Sequence, residues 1–249
     1  MIEIVNLEKS FDGLKVLQGV NVTISDGEVM AIIGQSGCGK SVLLKHVIGL
    51  IKPEKGNIII DGIDMTELTG KDIDIVRGKL GMLFQSGALF DSLTVYGNVA
   101  FQLVEKTKLG RNEIRERVLQ ALDDVGLRGI GNKYPAEISG GMRKRVALAR
   151  ALITEPSIVL FDEPTTGLDP IILNSIHRLI MHTHKKYGFT GLIISHEIPE
   201  IFEVADKVAM LHNGIIVETG TPEEIKNSSD PIVKQFITGS LEGPIEFLS

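Results

Sequence analysis

The sequence predicts an α/β protein with a mainly parallel sheet that is covered by helices on both faces. Short apolar runs of strand length occur at 29–33, 158–161 and 192–194, and helical patterns alternate with them. A glycine-rich loop follows the first of these runs and leads into a helix. Residues 86–157 have little strand character, so we expect a helical subdomain inserted into the α/β core.

Composition and charge exclude several classes of protein. The chain has 249 residues, of which 43% are hydrophobic, enough for a substantial core. No apolar run approaches the ~18 residues that span a bilayer, and no signal-peptide pattern follows Met1, so we expect a cytosolic protein. The single cysteine, Cys38, excludes an internal disulfide and a Cys-rich metal site. A net charge of −6 argues against nucleic acid as the main partner.

The first half of the chain is predicted to place several strands around one helix. Residues 1–30 and 57–65 carry short apolar patterns bounded by turn residues, which are typical of strands. Residues 29–33 form an apolar strand, and a helix is expected from about Lys40 to Gly49, where the glycine ends it.

The second half is predicted to alternate helix and strand. Residues 111–126 place apolar residues at helical spacing with charged residues between them. After a strand at 157–161, a helix is expected with Asp169 as its N-cap and Pro170 at its first position. Another strand follows at 191–195.

A hairpin and a tail complete the predicted elements. The pair Asn213-Gly214 between VAML and IIVE is the strongest short hairpin signal. We expect one domain at residues 1–226, with its helical subdomain at about 86–157, and a tail at 227–249. Residues 232–237 are expected to form a helical turn or two, after which glycine and proline break the helix and the last residues run extended. An extended apolar strip cannot bury itself, so the tail is predicted to dock on a neighbouring subunit. Folding back onto its own domain is the alternative.

A phosphate-binding pattern, G-x-x-x-x-G-K-[ST], occurs at residues 34–41, which have the sequence GQSGCGKS. Its glycines let backbone N–H groups turn toward phosphate oxygens. Lys40 is predicted to reach the β- and γ-phosphates, and the hydroxyl of Ser41 to ligate Mg²⁺. The nucleotide contacts expected from this segment are Gly34, Ser36, Gly37, Cys38, Gly39, Lys40, Ser41 and Val42.

Two carboxylates end the apolar strand in IVLFDE. Asp162 is placed to hold Mg²⁺ through its water shell, and Glu163 to orient or deprotonate an attacking water. For this dipeptide alone, a strand ending in a solvated acidic turn would be the better interpretation. The phosphate-binding loop in the same chain favours catalysis, because a module that only binds nucleotide would not need Glu163.

A second anion-binding helix start is predicted at Ser139-Gly140-Gly141. Ser139 is a natural N-cap, and the two glycines expose the first backbone N–H groups. An ordinary capped helix is the alternative when this segment is taken alone. One nucleotide site does not need two separate segments of the same chain to bind the γ-phosphate. We therefore expect each site to be completed by this segment from a second copy of the chain.

In their order along the chain, these motifs make the sequence resemble the ABC-transporter ATPases over essentially its whole length. The ordered set is GQSGCGKS, Gln85 in LFQSGALF, ISGGM, IVLFDE, TGLD at 166–169, and His196 after GLIIS. The resemblance implies that Gln85 senses Mg²⁺ and the γ-phosphate, that Asp169 lies at the dimer seam, and that His196 contacts the γ-phosphate. It also suggests that Phe11 stacks on adenine with Val16 beside it, the alternative for Phe11 being core packing.

The resemblance also implies the fold and the cofactors. The expected fold is that of P-loop NTPases of the ABC ATPase type, with a mainly parallel core sheet, an antiparallel β subdomain and an inserted helical subdomain. ATP and Mg²⁺ are the expected cofactors. The expected metal contacts are Ser41, Gln85 and Asp162, and the expected catalytic residues are Lys40, Gln85, Glu163 and His196.

The sequence departs from the family pattern around the predicted helix start at Ser139 and in the loop that ends at Asp169. Met142 stands where many members have Gln, and Ile138 stands where many have Leu. The loop that ends at Asp169 has the sequence TGLD instead of the common SALD. None of these changes removes a backbone donor or Asp169, so we still expect ATPase activity.

Two segments, FQSGALFDSLTVYGNVAF and DPIVKQFITGSLEGPIEF, are similar to the ATPases of MCE-associated lipid transporters, the maintenance-of-lipid-asymmetry or toluene-tolerance type. Members of that family move phospholipids between the inner and outer membranes of bacteria. The similarity implies a homodimer at the cytoplasmic face of the inner membrane, with a dimeric permease, an MCE lipid-binding protein and a STAS-like subunit as partners. The alternatives are another ABC system, for lipoprotein release or solute import, and a non-transport ABC regulator.

The segment 85–101 is predicted to contact the permease, because it follows Gln85 directly and exposes apolar residues in a loop-like setting. The residues concerned are Leu89, Phe90, Leu93, Val95 and Tyr96. The alternative is that they fill the helical subdomain.

Cys38 is predicted to have a lowered thiol pKa, because it lies in the glycine-rich loop at the start of a helix. We therefore expect a maleimide at Cys38 to block nucleotide binding. The alternative is a small buried residue that only fills space.

Overall fold

The computed structural model describes residues 1–246 of the chain. The chain forms two compact units, one made of Met1–Arg77 with the chain from Thr190 onward, and the other of Gly78–Phe189. No helix in the described residues is long and apolar enough to span a membrane.

Strands and helices alternate along much of the chain. In chain order the elements are β1 (Ile2–Phe11), β2 (Leu14–Ile24), β3 (Val29–Ile33), α1 (Lys40–Val47), β4 (Lys55–Ile60), β5 (Ile63–Asp64), α2 (Lys71–Arg77), β6 (Leu80–Leu83), α3 (Val95–Lys106), α4 (Arg111–Asp124), α5 (Gly140–Leu152), β7 (Ile158–Asp162), α6 (Pro170–Tyr187), β8 (Thr190–Ile194), β9 (Lys207–His212), β10 (Ile215–Gly220), α7 (Pro222–Lys226) and α8 (Pro231–Thr238). This order confirms the predicted α/β class.

The first unit contains an antiparallel sheet with the strand order β2-β1-β4-β5. Ile2 pairs with Ile24 on one side and with Ile60 on the other, and all three side chains are fully buried. Strand β4 turns into β5 through Asp61 and Gly62, whose φ angles of 50° and 77° suit a tight hairpin turn. This sheet is the predicted antiparallel β subdomain.

The first unit also contains the parallel strands. Strand β3 lies between β8 and β9 and is parallel to both. Every residue of β3 and β8 is buried, because strands of such a sheet are covered on both faces. Strand β9 turns into β10 at Asn213 and Gly214, and His212 pairs with Ile215. The predicted hairpin is therefore confirmed.

The second unit pairs β6 with β7 in parallel and otherwise consists mainly of helices. Helix α4 buries Ile114, Val118 and Leu122 on one face, which confirms the predicted amphipathic helix. A Cβ added to Gly141 of α5 would lie 2.7 Å from Cγ2 of Ile172 in α6. Glycine is therefore required where these two helices meet. The boundaries of the helical subdomain at 86–157 stay a prediction.

The C-terminal segment packs on the first unit, to which it belongs. Val233 of α8 is fully buried and Ile245 is 4% exposed. The side-chain amide of Gln235 accepts from the backbone N–H of Ile245 at 2.7 Å and donates to its carbonyl oxygen at 3.2 Å. Helix α8 lies where the helical turn was predicted. The prediction that the extended residues after it cannot bury themselves is wrong at Ile245, while Phe247 and Leu248 lie outside the described residues.

Candidate functional site

The phosphate-binding pattern lies between β3 and α1 in the first unit. Helix α1 begins after Gly39, whose φ of 108° lies in the left-handed region, and no side chain caps its first N–H groups. A Cβ on Gly34 would lie 2.2 Å from the carbonyl oxygen of Leu211, so only glycine fits there. A helix start without a side-chain cap is suited to bind an anion.

Lys40 is folded into this loop. It is 4% exposed, and its ammonium donates to the carbonyl oxygens of Gly34 and Gln35 at 2.7 and 2.8 Å. Phosphate oxygens are stronger acceptors for an ammonium than neutral carbonyls are. Ser41 and Val42 follow in the first turn of α1 and are half-buried. The residues present therefore fit a nucleotide phosphate.

Cys38 differs from the prediction. Burial raises the pKa of its thiol, and the opposing effects of Lys40 and of nearby backbone N–H groups do not compensate. Its Sγ lies 2.9 Å from where a Cβ on Gly34 would be, so the thiol fills space inside the loop. The prediction of a lowered thiol pKa is therefore wrong.

Phe11 and Val16 lie in or beside the turn from β1 to β2. Phe11 pairs with Leu14 across this turn, and its side chain is 41% exposed. The ammonium of Lys9 lies 5.4 Å from the centre of the Phe11 ring. Val16 lies beside the phosphate-binding loop, since a Cβ added to Gly39 would lie 3.1 Å from the Val16 carbonyl oxygen. The exposure of Phe11 disfavours core packing, and stacking on adenine stays a prediction.

The two carboxylates and Gln85 lie in the second unit. Strand β7 ends at Asp162, and Glu163 follows with a φ of 46°. The Gln85 side chain donates from Nε2 to Oε2 of Glu163 at 2.8 Å, and the hydroxyl of Thr166 donates to the same oxygen at 3.0 Å. Two side chains, one 78 positions away and the other three positions away, thus donate to one carboxylate oxygen.

Two buried cations of α5 were not found from the sequence. Lys144, which is 7% exposed, donates from Nζ to the carbonyl oxygen of Gln85 and, at 3.4 Å, to that of Glu163. Arg150, equally buried, donates to the carbonyl oxygens of 87–88 at 2.8 and 2.7 Å. For Arg150 the available signal was a single cation among the otherwise apolar residues 146–152, whereas Lys144 lies between two arginines and gave no such signal.

Both predicted helix N-caps are present in the second unit. The hydroxyl of Ser139 accepts from the backbone N–H of Met142 at 3.3 Å at the start of α5. One carboxylate oxygen of Asp169 accepts from the N–H groups of 171–172 at 3.0 and 3.1 Å at the start of α6. Each bond satisfies helix N–H groups that have no partner inside the helix.

His196 lies in the first unit, directly after β8, and its side chain is exposed. The preceding residue, Ser195, is buried and its hydroxyl accepts from the backbone N–H of Glu197 at 3.1 Å. The backbone around His196 is thus tied to the end of the strand. Contact of His196 with a γ-phosphate stays a prediction.

Comparison with known proteins identifies relatives over nearly the whole chain. Residues 17–166 match the family model described as "ABC transporter". The chain is 46% identical over 244 residues to the "Probable ribonucleotide transport ATP-binding protein mkl" of Mycobacterium tuberculosis, covering 98% of this chain and 68% of that protein. It is 40% identical over 247 residues to the "Intermembrane phospholipid transport system ATP-binding protein MlaF" of Haemophilus influenzae, covering 99% and 94%.

A solved structure supports the same relationship. The ATP-binding cassette MJ0796, determined as a dimer in a post-hydrolysis state bound to ADP and Pi, superposes with a TM-score of 0.82. The two chains are 31% identical, and the superposition covers 89% of this chain and 99% of the MJ0796 chain.

Proposed function

Because the chain belongs to the ABC transporter family, we propose that its ATPase activity energises phospholipid transport between the inner and outer membranes of a bacterium. The chain itself is the ATP-binding and ATP-hydrolysing subunit of an ABC transporter. The proposal of a phospholipid substrate rests on the match to the MlaF protein of Haemophilus influenzae, which extends over 94% of that protein's length.

The phosphate-binding loop supplies the first part of the proposed mechanism. Lys40 exchanges its bonds to loop carbonyls for bonds to the β- and γ-phosphates, while the N–H groups at the start of α1 donate to phosphate oxygens. Ser41, Gln85 and Asp162 offer the oxygen donors that Mg²⁺ prefers. When bound, Mg²⁺ neutralises charge that develops on the phosphates.

Glu163 supplies the base. Because Gln85 and Thr166 both donate to Oε2, the Glu163 carboxylate has a defined orientation. It accepts a proton as the water oxygen bonds to the γ-phosphorus. The bond between that phosphorus and the β,γ-bridging oxygen then breaks, which releases ADP and inorganic phosphate.

Two copies of the chain act together in this proposal. The start of α5 at Ser139, Gly140 and Gly141 faces the nucleotide held by the phosphate-binding loop of the partner, and Asp169 lies at the seam. ATP binding closes the two copies head to tail, and hydrolysis reopens them. The dimeric state of the MJ0796 structure supports this assembly.

The permease contact is proposed for an aromatic pair in the second unit. Phe90 and Phe101 are 43% and 38% exposed, and their ring centres lie 4.8 Å apart. The side chain of Asn98 accepts from the backbone N–H of Phe90 and donates to its carbonyl oxygen, so the pair is presented on a fixed backbone. Val95 is fully buried and belongs to the core instead.

The remaining partners follow from the phospholipid assignment. We propose a peripheral location at the cytoplasmic face of the inner membrane, with a dimeric permease, an MCE lipid-binding protein and a STAS-like subunit. The mkl relative, whose printed name refers to ribonucleotide transport, favours another ABC transport system as the second candidate. A non-transport ABC regulator is the third.

Copurification tests this function. The full-length chain, tagged and expressed in its own host, is extracted with its membranes in mild detergent and its partners are identified by mass spectrometry. A permease together with an MCE protein is the expected result. A permease without an MCE protein would favour another transport substrate, and a cell-division or repair partner would refute the transport function.

A further inference from the structure

The ammonium of Lys144 lies beside Gln85 and Glu163 in the second unit, the two residues proposed to act together in hydrolysis. Lys144 is 7% exposed and donates to the main-chain carbonyl oxygens of Gln85 and Glu163. The side chains of those same two residues are joined by the 2.8 Å bond from Gln85 to Glu163. One buried cation therefore holds the backbones of both residues whose side chains meet.

The backbone of Glu163 needs such support. Its φ of 46° lies in the left-handed region, which a residue with a side chain rarely adopts. Its carbonyl oxygen accepts from Nζ of Lys144 and from the backbone N–H of Thr166, each at 3.4 Å. Strained backbone at functional sites persists only where the surroundings over-determine it. Lys144 is one of the groups that hold Glu163 in this backbone conformation.

We propose that Lys144 is a positioning residue for ATP hydrolysis, which sets the orientation of the Glu163 carboxylate through the main chains of Gln85 and Glu163. This inference rests on the proposed role of Glu163 as the base. Lys144 reaches these carbonyls from α5, the helix that begins after Ser139. The Lys144 side chain therefore connects Glu163 with the helix that begins after Ser139.

Arg150 fixes the adjoining backbone from the same helix. Its guanidinium donates to the carbonyl oxygens of Gly87 and Ala88 at 2.8 and 2.7 Å. Ala88 has a φ of 45°, so this stretch is also held in an unusual conformation. Two cations of α5 thus hold the segment that begins at Gln85, and Lys144 also reaches Glu163.

A purely structural role for Lys144 makes a different prediction. A packing residue would affect stability and would slow hydrolysis equally whether or not Glu163 is present. A positioning residue acts through Glu163, so its effect on the chemical step disappears when the base is removed.

The test is a double-mutant cycle on the full-length chain, with Lys144→Met, Glu163→Gln and the pair. Lys144→Met keeps the aliphatic stem and removes the donors. We expect kcat for ATP hydrolysis to fall about 10-fold to 100-fold while ATP affinity changes less than about 3-fold, because a misplaced catalytic group affects mainly the chemical step. Lys144→Arg, which keeps the donors, is expected to recover most of the activity. Lys185→Met, at an exposed lysine of the same unit, is the matched control and is expected to retain full activity.

The cycle separates failure of the inference from failure of the proposed base. In the Glu163→Gln background, Lys144→Met is expected to change residual single-turnover hydrolysis by less than about 2-fold. Equal losses in both backgrounds, or an unchanged kcat in Lys144→Met, would overturn the positioning role. Unchanged hydrolysis in Glu163→Gln alone would instead overturn the base. If Lys144→Met does not fold, as judged by circular dichroism, Lys144→Leu, which also lacks donors, takes its place with the same expected pattern.

Discussion

Gln85 donates a hydrogen bond from its side-chain amide to the carboxylate of Glu163 at 2.8 Å, although the two residues lie 78 positions apart in the sequence. The amide follows β6 and the carboxylate follows β7, and these strands are parallel neighbours. Parallel neighbours bring their carboxyl ends to the same edge of a sheet. The sensor and the base of the predicted site are therefore placed in contact by strand pairing.

Replacement of Glu163 by Gln is expected to slow ATP hydrolysis by roughly 10² to 10⁴, because this is the usual contribution of a positioned base. ATP binding is retained, so the ATP-bound dimer accumulates. Steady-state turnover and size-exclusion chromatography with ATP measure the two effects. Glu116→Gln, at an exposed position of α4, is the control. Wild-type turnover in Glu163→Gln would remove this residue from its assigned role.

Replacement of Lys40 by Ala is expected to abolish measurable ATP binding, since the ammonium inside the phosphate-binding loop is lost. Lys45→Ala changes an exposed lysine of the same helix and is expected to bind ATP normally. Equilibrium binding of a fluorescent ATP analogue compares them. Equal affinity in the two variants would contradict the assignment of Lys40.

Alkylation of Cys38 is expected to be slow at neutral pH and to block nucleotide binding once it occurs. Burial raises the pKa of the Cys38 thiol. The fraction of reactive thiolate therefore still increases at pH values where an exposed thiol would already be fully deprotonated. Labelling with N-ethylmaleimide across this pH range, with and without ATP, provides the measurement. ATP is expected to protect the thiol. Equal rates with and without ATP would indicate that Cys38 only fills space.

Replacement of Phe90 by Asp is expected to prevent copurification with the permease while the isolated chain keeps its basal ATPase activity. Phe90 is 43% exposed, so the charge is tolerated in the isolated chain but is desolvated at an apolar interface. Leu119→Asp, at a 50% exposed leucine of α4, is the control. Normal copurification of Phe90→Asp would refute the contact.

Replacement of Ile245 by Ala is expected to destabilise the chain by about 2–5 kcal/mol, the usual cost of truncating a buried isoleucine. Leu241 is 81% exposed, so Leu241→Ala is expected to change stability by less than about 0.5 kcal/mol. Urea unfolding followed by circular dichroism distinguishes them. Deletion of 240–249 is likewise expected to lower the melting temperature. An unchanged melting temperature would restore the idea that this segment docks elsewhere.

Sequence patterns predicted most of the local structure correctly. The Asn213-Gly214 turn, the N-caps at Ser139 and Asp169 and the glycine-rich loop at 34–41 all occur where expected. Each depends on the backbone freedom of one residue or on a hydrogen bond within three residues. Such interactions are complete within a short window of sequence.

By itself, therefore, the sequence determined the α/β class, the family and the glycine-rich loop that leads into α1. Only the tertiary structure decided that Lys144 contacts a carbonyl 59 positions away, that the Cys38 pKa is raised, and that Ile245 is buried. These properties depend on which surfaces pack together and on how much water the packing excludes. Neither quantity can be read from neighbours in the chain, because both arise from contacts between distant segments.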